Sequence, residues 1–290
     1  LHGRLAHLYD CTCDHCNHEQ QDLQLAINPK FKKLLKTIET AFKKLQKKGS
    51  YQPEDLKKVP EYRDIINQTN GFLTRAISDN ELSDSMRKSM EEDIFLFSGL
   101  KTHAQLFEAS RLLLTEDKKI KSFSQFSKDV SSIKKNYNEN YLEAEYDFAV
   151  GSGLMADRWE SFNDSDRYYL QYRTANDNKV RESHEVLHNT TLPKKDPFWD
   201  KFFPPNGWRC RCTTVEVLAY LNEASNTNKS YESGEKATYQ ENKNGKNKLE
   251  IFRFNPGKEK VAFPPKHPYH KVQGAKKATP IIKTIKKSEN

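Results

Sequence analysis

Between residues 29 and 48 the apolar positions recur at three- and four-residue steps. Phe31, Leu34, Leu35, Ile38, Phe42 and Leu45 fall on one stripe, and Lys32, Lys33, Lys36, Lys43, Lys44 and Lys47 cover the rest. This spacing predicts an amphipathic helix. Asn28 and Pro29 suit its cap and first turn, and Gly49 its stop. Residues 50–100 read as a loop and shorter helices. Within them the run DIFLFSG, residues 93–99, is tightly apolar and reads as a buried turn or a docking edge. Residues 103–114 return to helical spacing through Leu106, Ala109 and Leu113, and Phe123, Phe126, Val130 and Ile133 continue it. His103 has no neighbour of ligating type and reads as a packing or surface residue.

Residues 136–162 form the longest helical candidate, with Tyr137, Tyr141, Ala144, Phe148, Ala149, Met155 and Trp159 on a broad aromatic face. Gly151 and Gly153 interrupt it at about 1 kcal/mol each relative to Ala, which predicts a kink or two helices. Residues 166–174 (DRYYLQYRT) then turn β-like, and Thr213–Leu218 alternates, so two strands are expected. Between them, Val180, Val186 and Leu187 give a short helix one apolar side. His184 and His188, four apart, share a face of it, and Pro193 ends it. Asp196, Pro197, Pro204, Pro205, Asn206 and Gly207 prescribe successive turns, with Phe198, Trp199, Phe202, Phe203 and Trp208 as apolar anchors. Such a stretch is a structured loop and not a linker.

Beyond Asn222 the chain is rich in Asn, Ser, Lys and Gly to about Lys248 and reads as a linker or insertion. Residues 249–254 and 259–263 read as short strands about Pro256-Gly257, and the end from Lys271 as basic and weakly structured. The fold class implied is α+β: a mainly helical N-terminal body followed by a small mixed or antiparallel sheet with a structured motif loop. Five segments follow: a Cys/His arm and basic helix (1–49), a helical region (50–135), the motif core (136–221), the polar linker (222–248), and a β hairpin with a basic tail (249–290).

Composition sharpens this picture. Hydrophobic residues are 35% of the 290 and charged residues 30%, a thin core allowance, although 16 Phe and 13 Tyr argue against disorder throughout. No apolar run approaches the roughly 20 residues that span a bilayer, so no membrane is expected. The start lacks the apolar core of a secretory leader, and its Leu1 reads as the edge of a fragment. The net charge of +8 is uneven: from Glu216 onward 15 Lys and Arg stand against 8 Asp and Glu. Lys271, Lys276, Lys277, Lys283, Lys286 and Lys287 are the candidate contacts to double-stranded DNA; a solubilising end is the alternative.

The chemistry on offer is limited. Five cysteines are too few, and odd in number, for a disulfide scaffold, so reduced thiols in a cytoplasmic setting fit better. Cys11, Cys13, Cys16 and His18 are candidate metal ligands. Their Cys-x-Cys-x-x-Cys spacing departs from common zinc modules, and a compact arm of reduced side chains stays open. Cys210 and Cys212 with His184 and His188 would complete a Cys2His2 zinc tetrahedron, with packing of buried His and Cys as the alternative. Arg181 and Arg209 are placed to pair with Asp177, Asp196 or Asp200. The chain has no Gly-x-Ser-x-Gly, Walker loop, His-Glu-x-x-His or dinucleotide fingerprint, and no enzyme is expected. A metal-dependent nuclease through His184, His188 and Asp177 is the one enzymatic alternative.

These residues also resemble a known pattern. Tyr137-Asn138, Tyr141-Leu142, Glu145-Tyr146 and Ala149, then Tyr172-Arg173-Thr174, Asp177, Val180-Arg181, His184, Leu187, Pro193, Asp196 through Trp199 and Pro204 through Cys212 resemble the phage Mu protein F-like, or head morphogenesis, family. A thinner likeness reaches Phe97-Ser98-Gly99 and Lys101-Thr102. Asn189 stands where the family commonly has Gly; Asn tolerates a left-handed backbone, so the turn is expected to be kept. His188 matches only a variable position, so the resemblance also allows a three-ligand set completed by Asp196 or an outside group.

The resemblance implies a minor head protein of a tailed phage or prophage that acts near the portal. Portal and major capsid proteins would be its partners, and its location the virion or the host cytoplasm during assembly. The rival it leaves open is the trafficking module of a polymorphic toxin whose toxin domain is missing or degenerate.

Overall fold

The computed structural model describes Tyr9 and residues 29–178, 180–242 and 244–288. Asn28 and the candidate ligands Cys11, Cys13, Cys16 and His18 lie outside the described residues. Helix α1 (Pro29–Lys48) follows its periodicity: Leu34, Ile38, Ala41, Phe42 and Leu45 are buried, and the six lysines of the opposite face are exposed. Gly49, at φ +73°, closes it by donating its N–H to the Leu45 carbonyl at 2.9 Å.

Helix α2 (Pro60–Leu73) packs on α1, and helix α3 (Asp84–Ser110) packs on α2. The apolar run at 93–99 is neither turn nor edge but the middle of α3. Residues 97–106 are buried without exception. A helix enclosed on all sides has no polar stripe, so its period cannot be read from hydropathy. Most of its polar members find partners inside the fold, although Gln105 Nε2 is buried without one. Lys101 pairs with Glu145 at 2.6 Å, and His103 bridges the Tyr51 hydroxyl (2.8 Å) and the Gln273 carbonyl (3.0 Å).

Helix α4 (Tyr141–Ser161) follows a π-helical turn, Asn136–Asn140, and runs through Gly151 and Gly153 without the predicted division into two helices. The glycines make room for neighbours. A Cβ on Gly153 would stand 2.6 Å from Asn80 Oδ1 and 2.8 Å from Ile77 Cγ2.

The expected strands form. β1 (Tyr168–Arg173) is central in an antiparallel sheet of order β2-β1-β3, with β2 (Thr191–Leu192) on one side and β3 (Thr213–Leu218) on the other. Leu170 pairs with Leu192, and Tyr172 with Thr214. A mostly helical body with a small antiparallel sheet is therefore the fold, as the sequence pattern implies.

Three C-terminal readings are corrected. Behind the short helix α5 (Phe198–Phe202), the polar stretch after Asn222 contains helix α6 (Thr227–Ala237), capped by Asn226, whose side chain accepts the Lys229 N–H at 3.0 Å. The expected hairpin is two helical turns, Glu250–Phe252 and Pro256–Glu259. Asn255 and Pro256 act there as N-cap and first-turn residues: Asn255 Oδ1 accepts the N–H groups of Gly257 and Lys258, both at 3.0 Å. The tail is helix α7 (Ala275–Lys287), docked along α3 through Ala275, Ala278, Ile282 and Ile285. Gly99 receives it so closely that a Cβ there would lie 2.5 Å from Ile282 Cγ2. Among the described residues no helix is long and apolar enough to cross a membrane.

The described residues form two hydrophobic cores. The larger joins α1–α4, α7 and the phenylalanines Phe252, Phe254 and Phe263. The smaller lies under the sheet and holds Met155, Leu170, Tyr172, Leu187, Phe198, Trp199, Phe202, Phe203 and Cys212.

Candidate functional site

The motif loop leaves β1 after Arg173, contributes β2 to the sheet, and rejoins it as β3 at Thr213, opposite Arg173. After a turn with Asn176 at φ +53°, the chain makes one short helix, Glu182–Glu185, in place of the longer one expected. Asn189, at φ +64°, adopts the left-handed conformation anticipated for it, and its N–H donates to the Tyr172 carbonyl at 2.9 Å. That turn directs the chain into β2. Asp196 then organises α5: its Oδ1 accepts the Phe198 N–H at 2.9 Å and its Oδ2 the Thr227 hydroxyl at 3.0 Å. Trp199, fully buried, donates its indole N–H to the Pro193 carbonyl at 3.1 Å.

The Pro204-Pro205 bond is cis, and Asn206 behind it is buried, accepting the Tyr172 hydroxyl at 2.9 Å. Pro205 lies against the helix at Gly151. Gly207 lies beside the Arg181 guanidinium, and Arg181 Nη2 donates to the Trp208 carbonyl. Trp208 itself enters the larger core, stacked on Tyr9 at 4.7 Å and edge-on to Phe148 at 5.0 Å. The aromatic anchors of the motif are thus interior groups.

Past Trp208, Arg209 takes φ +55°, and the chain presents Cys210 and Cys212 to His184. His184 Nδ1 stands 3.7 Å from Cys210 Sγ and 3.6 Å from Cys212 Sγ. The three donor atoms lie within 4.8 Å of one another, a set able to hold a metal ion. His184 and Cys212 are buried and Cys210 is partly exposed, while His184 Nε2 is buried with no hydrogen-bond partner. A small open pocket of about 30 Å³ lies over them, lined by Val180, Arg181, Arg209 and Arg211 besides the three donors. The Cys210 thiol is held well below its ordinary value by its hydrogen bond with Cys212 and by His184, and that bond together with burial pushes Cys212 up.

His188 does not join this cluster, which corrects the four-ligand expectation. The helix ends before it, and its Nδ1 faces Thr174, 2.8 Å from the hydroxyl and 3.2 Å from the N–H. Asp196 is likewise absent from the cluster, being engaged at α5. Of the predicted arginine pairings, that of Arg209 with a loop aspartate is corrected. Arg211 forms the bidentate bridge to Asp177, at 2.6 and 2.7 Å, Arg209 faces Glu143 at 3.5 Å, and Asp200 pairs with Lys258 at 2.5 Å. His184, His188 and Asp177, the trio of the nuclease alternative, do not converge.

A second polar centre is not evident from the sequence pattern. Glu145 Oε2 accepts from Lys101 at 2.6 Å, and its Oε1 accepts the Tyr9 and Tyr269 hydroxyls at 2.7 and 2.9 Å. His267 Nε2 lies 3.2 Å from the same Tyr9 hydroxyl. Burial raises Glu145 against the opposing pull of Lys101, lowers Lys101 against that of Glu145, and depresses His267 strongly. Lys101 and Glu145 both fall among the positions that resemble the family pattern, but they lie 44 residues apart and nothing local in the sequence pairs them.

Residues 72–215, just under half of the chain, match the family described as Phage Mu protein F like protein. Among curated proteins, "Putative capsid assembly protein F" of Escherichia phage Mu is 42% identical over 72 residues, 24% of this chain and 16% of that protein. The "Mu-like prophage FluMu F protein" of Haemophilus influenzae is 33% identical over 73 residues, 25% of this chain and 18% of its own. The match therefore spans less than one fifth of either relative. No solved structure matches the chain.

Proposed function

We propose that the chain is a non-enzymatic head-morphogenesis protein of a tailed phage or prophage. It acts in the virion, or in the host cytoplasm during assembly, with portal and major capsid proteins as partners. The observation that carries this reading is how the motif residues are used. Trp199, Phe202, Phe203, Asn206 and Trp208 are buried, Asp177 and Asp196 are engaged in pairing and capping, and no carboxylate lines the pocket at Cys210. A hydrolytic acid–base pair would set a carboxylate or a second imidazole beside the first; His184 here faces only the two thiols, and the loop serves to hold its surroundings in place. The capsid-assembly name of the phage Mu relative supports the same reading.

Contact with double-stranded DNA belongs to this proposal. Lys276, Lys277, Lys283 and Lys287 are exposed on α7, and Lys271 is exposed just before it. Lys286 is set apart, partly buried 5.7 Å from the centre of the Phe95 ring. Because α7 is part of the core, the tail is tested by charge and not by deletion.

The protein is mixed with the capsid and portal proteins encoded beside it, and co-assembly is followed by sedimentation. Co-sedimentation is expected, with no nucleolytic product when magnesium, manganese or zinc is added. Failure to co-sediment, or metal-dependent cleavage lost in a folded His184→Ala variant, overturns the reading. For DNA, a variant with Lys276, Lys277, Lys283 and Lys287 changed to Gln should bind duplex with a shallower salt slope, each lost phosphate contact removing about 0.9 unit.

A further inference from the structure

The spacing of His184, Cys210 and Cys212 carries more than a hydrogen-bond pattern. An imidazole nitrogen holds one proton or one lone pair, so it serves one in-plane partner well. His184 Nδ1 instead stands nearly equidistant from two sulfurs, at 3.6 and 3.7 Å. A tetrahedral zinc ion with bonds of about 2.3 Å to sulfur and about 2.0–2.1 Å to nitrogen sets those atoms about 3.6 Å apart. The observed separations are two edges of that tetrahedron. The remaining sulfur–sulfur edge lies within the 4.8 Å that bounds the cluster.

We propose that His184 Nδ1, Cys210 Sγ and Cys212 Sγ bind one zinc ion, whose fourth position opens into the arginine-lined pocket and is taken by water or a small anion. The donor set selects the metal: two thiolates and one imidazole suit zinc, whereas magnesium and calcium call for oxygen ligands. Among the described residues no fourth His, Cys, Asp or Glu belongs to the cluster. The open side is where Cys210 reaches the surface, beside Arg181, Arg209 and Arg211. Two thiolates neutralise the ion, so the neighbouring guanidinium groups favour an anion at the vacant corner.

The ion would have a definite structural effect. It joins residue 184 to residues 210 and 212, across separations of 26 and 28 positions, and so closes the base of the loop that contains α5 and the Pro204–Trp208 turn. Both cysteines and the histidine bind only when deprotonated at the donor atom, so loading couples to folding. This inference is independent of the assembly reading, since it concerns only what the donor set binds.

Full-length protein is purified under reducing conditions, stripped with a chelator, reloaded and analysed for bound zinc per chain. The Cys210→Ser/Cys212→Ser variant should carry one equivalent less than the parent, and His188→Gln the same amount as the parent. Equal zinc in parent and double variant, or a loss in His188→Gln, overturns the site. If the double variant does not fold by circular dichroism, protection of Cys210 in the parent decides. Zinc should slow alkylation of the partly exposed Cys210, read by peptide mass spectrometry, and an unchanged rate overturns the proposal. In the cobalt-loaded parent, added azide should shift the visible bands; bands that do not respond contradict the open fourth position.

Discussion

Trp199 and Trp208 lie nine positions apart in one loop, yet they are buried in different hydrophobic cores. Trp199 packs at 4.9 Å against Phe198 beneath the sheet, whereas Trp208 lies between Tyr9 and Phe252 in the helical body. The intervening cis Pro204-Pro205 bond and buried Asn206 carry the chain from one core to the other. The loop is a strap that couples sheet to helices. Its Pro, Gly and aromatic content reflects that task, because each turn residue fixes a direction and each ring anchors one end.

The Lys101–Glu145 pair should behave as a unit. Both side chains are almost fully buried, so removing one partner leaves an uncompensated charge. Lys101→Met and Glu145→Gln should each cost about 3–5 kcal/mol in urea unfolding, and the double variant much less than their sum. Additive costs would mean that the two groups are stabilised separately by the tyrosines.

Asp93 should make stability depend on pH. Its Oδ2 accepts the N–H groups of Ala262 and Phe263, both at 2.9 Å, yet burial outweighs these bonds and pushes the carboxyl up to about 7. In the unfolded chain it titrates at about 3.9. Between those values the native state keeps a proton that the unfolded state has released, so stability falls as pH rises from about 4 to about 7. Asp93→Asn removes this titration. The melting-temperature difference between variant and parent should therefore move in the variant's favour across that window. A difference independent of pH would show that Asp93 keeps an ordinary pKa.

Asn189 should tolerate Gly but not β-branched or alanine side chains. At φ +64° it is in the left-handed region, where an L-residue with no compensating side-chain polarity costs roughly 1–2 kcal/mol. Asn189→Gly should unfold like the parent, and Asn189→Ala at lower denaturant. If alanine were neutral, the turn into β2 would not depend on this conformation.

The legible parts of this chain are those whose pattern or composition is plain locally. Helix α1 repeats visibly because water lies on one side of it, whereas β1, in which Leu170, Gln171 and Tyr172 are all buried, was readable by its aromatic composition and β3 by its alternating residue types. The end of α3 was readable from residue 103 onward, but its middle was hidden because Ser98, Lys101 and Thr102 are polar residues enclosed in a core. Helix α7 was hidden for a different reason: Ala275, Ala278, Ile282 and Ile285 form a sparse apolar row among lysines, and tertiary docking, with Ile282 against Gly99, secures it. Asn255-Pro256 is ambiguous by nature, since the same pair opens a turn or caps a helix. At the site, His184 and both cysteines were readable as a ligand set. The exclusion of His188 was not, because it depends on a helix that stops after one turn and on the Thr174 hydroxyl.

The most direct test of the strap is the unfolding free energy of Trp208→Ala, measured by urea denaturation against the parent chain. The indole is only 5% exposed and is surrounded by Tyr9, Phe148, Phe252 and His267. Its removal should therefore cost about 3–5 kcal/mol, as for other buried aromatic groups. A change within about 0.5 kcal/mol, the range of surface substitutions, would contradict the account and place this end of the loop outside the core.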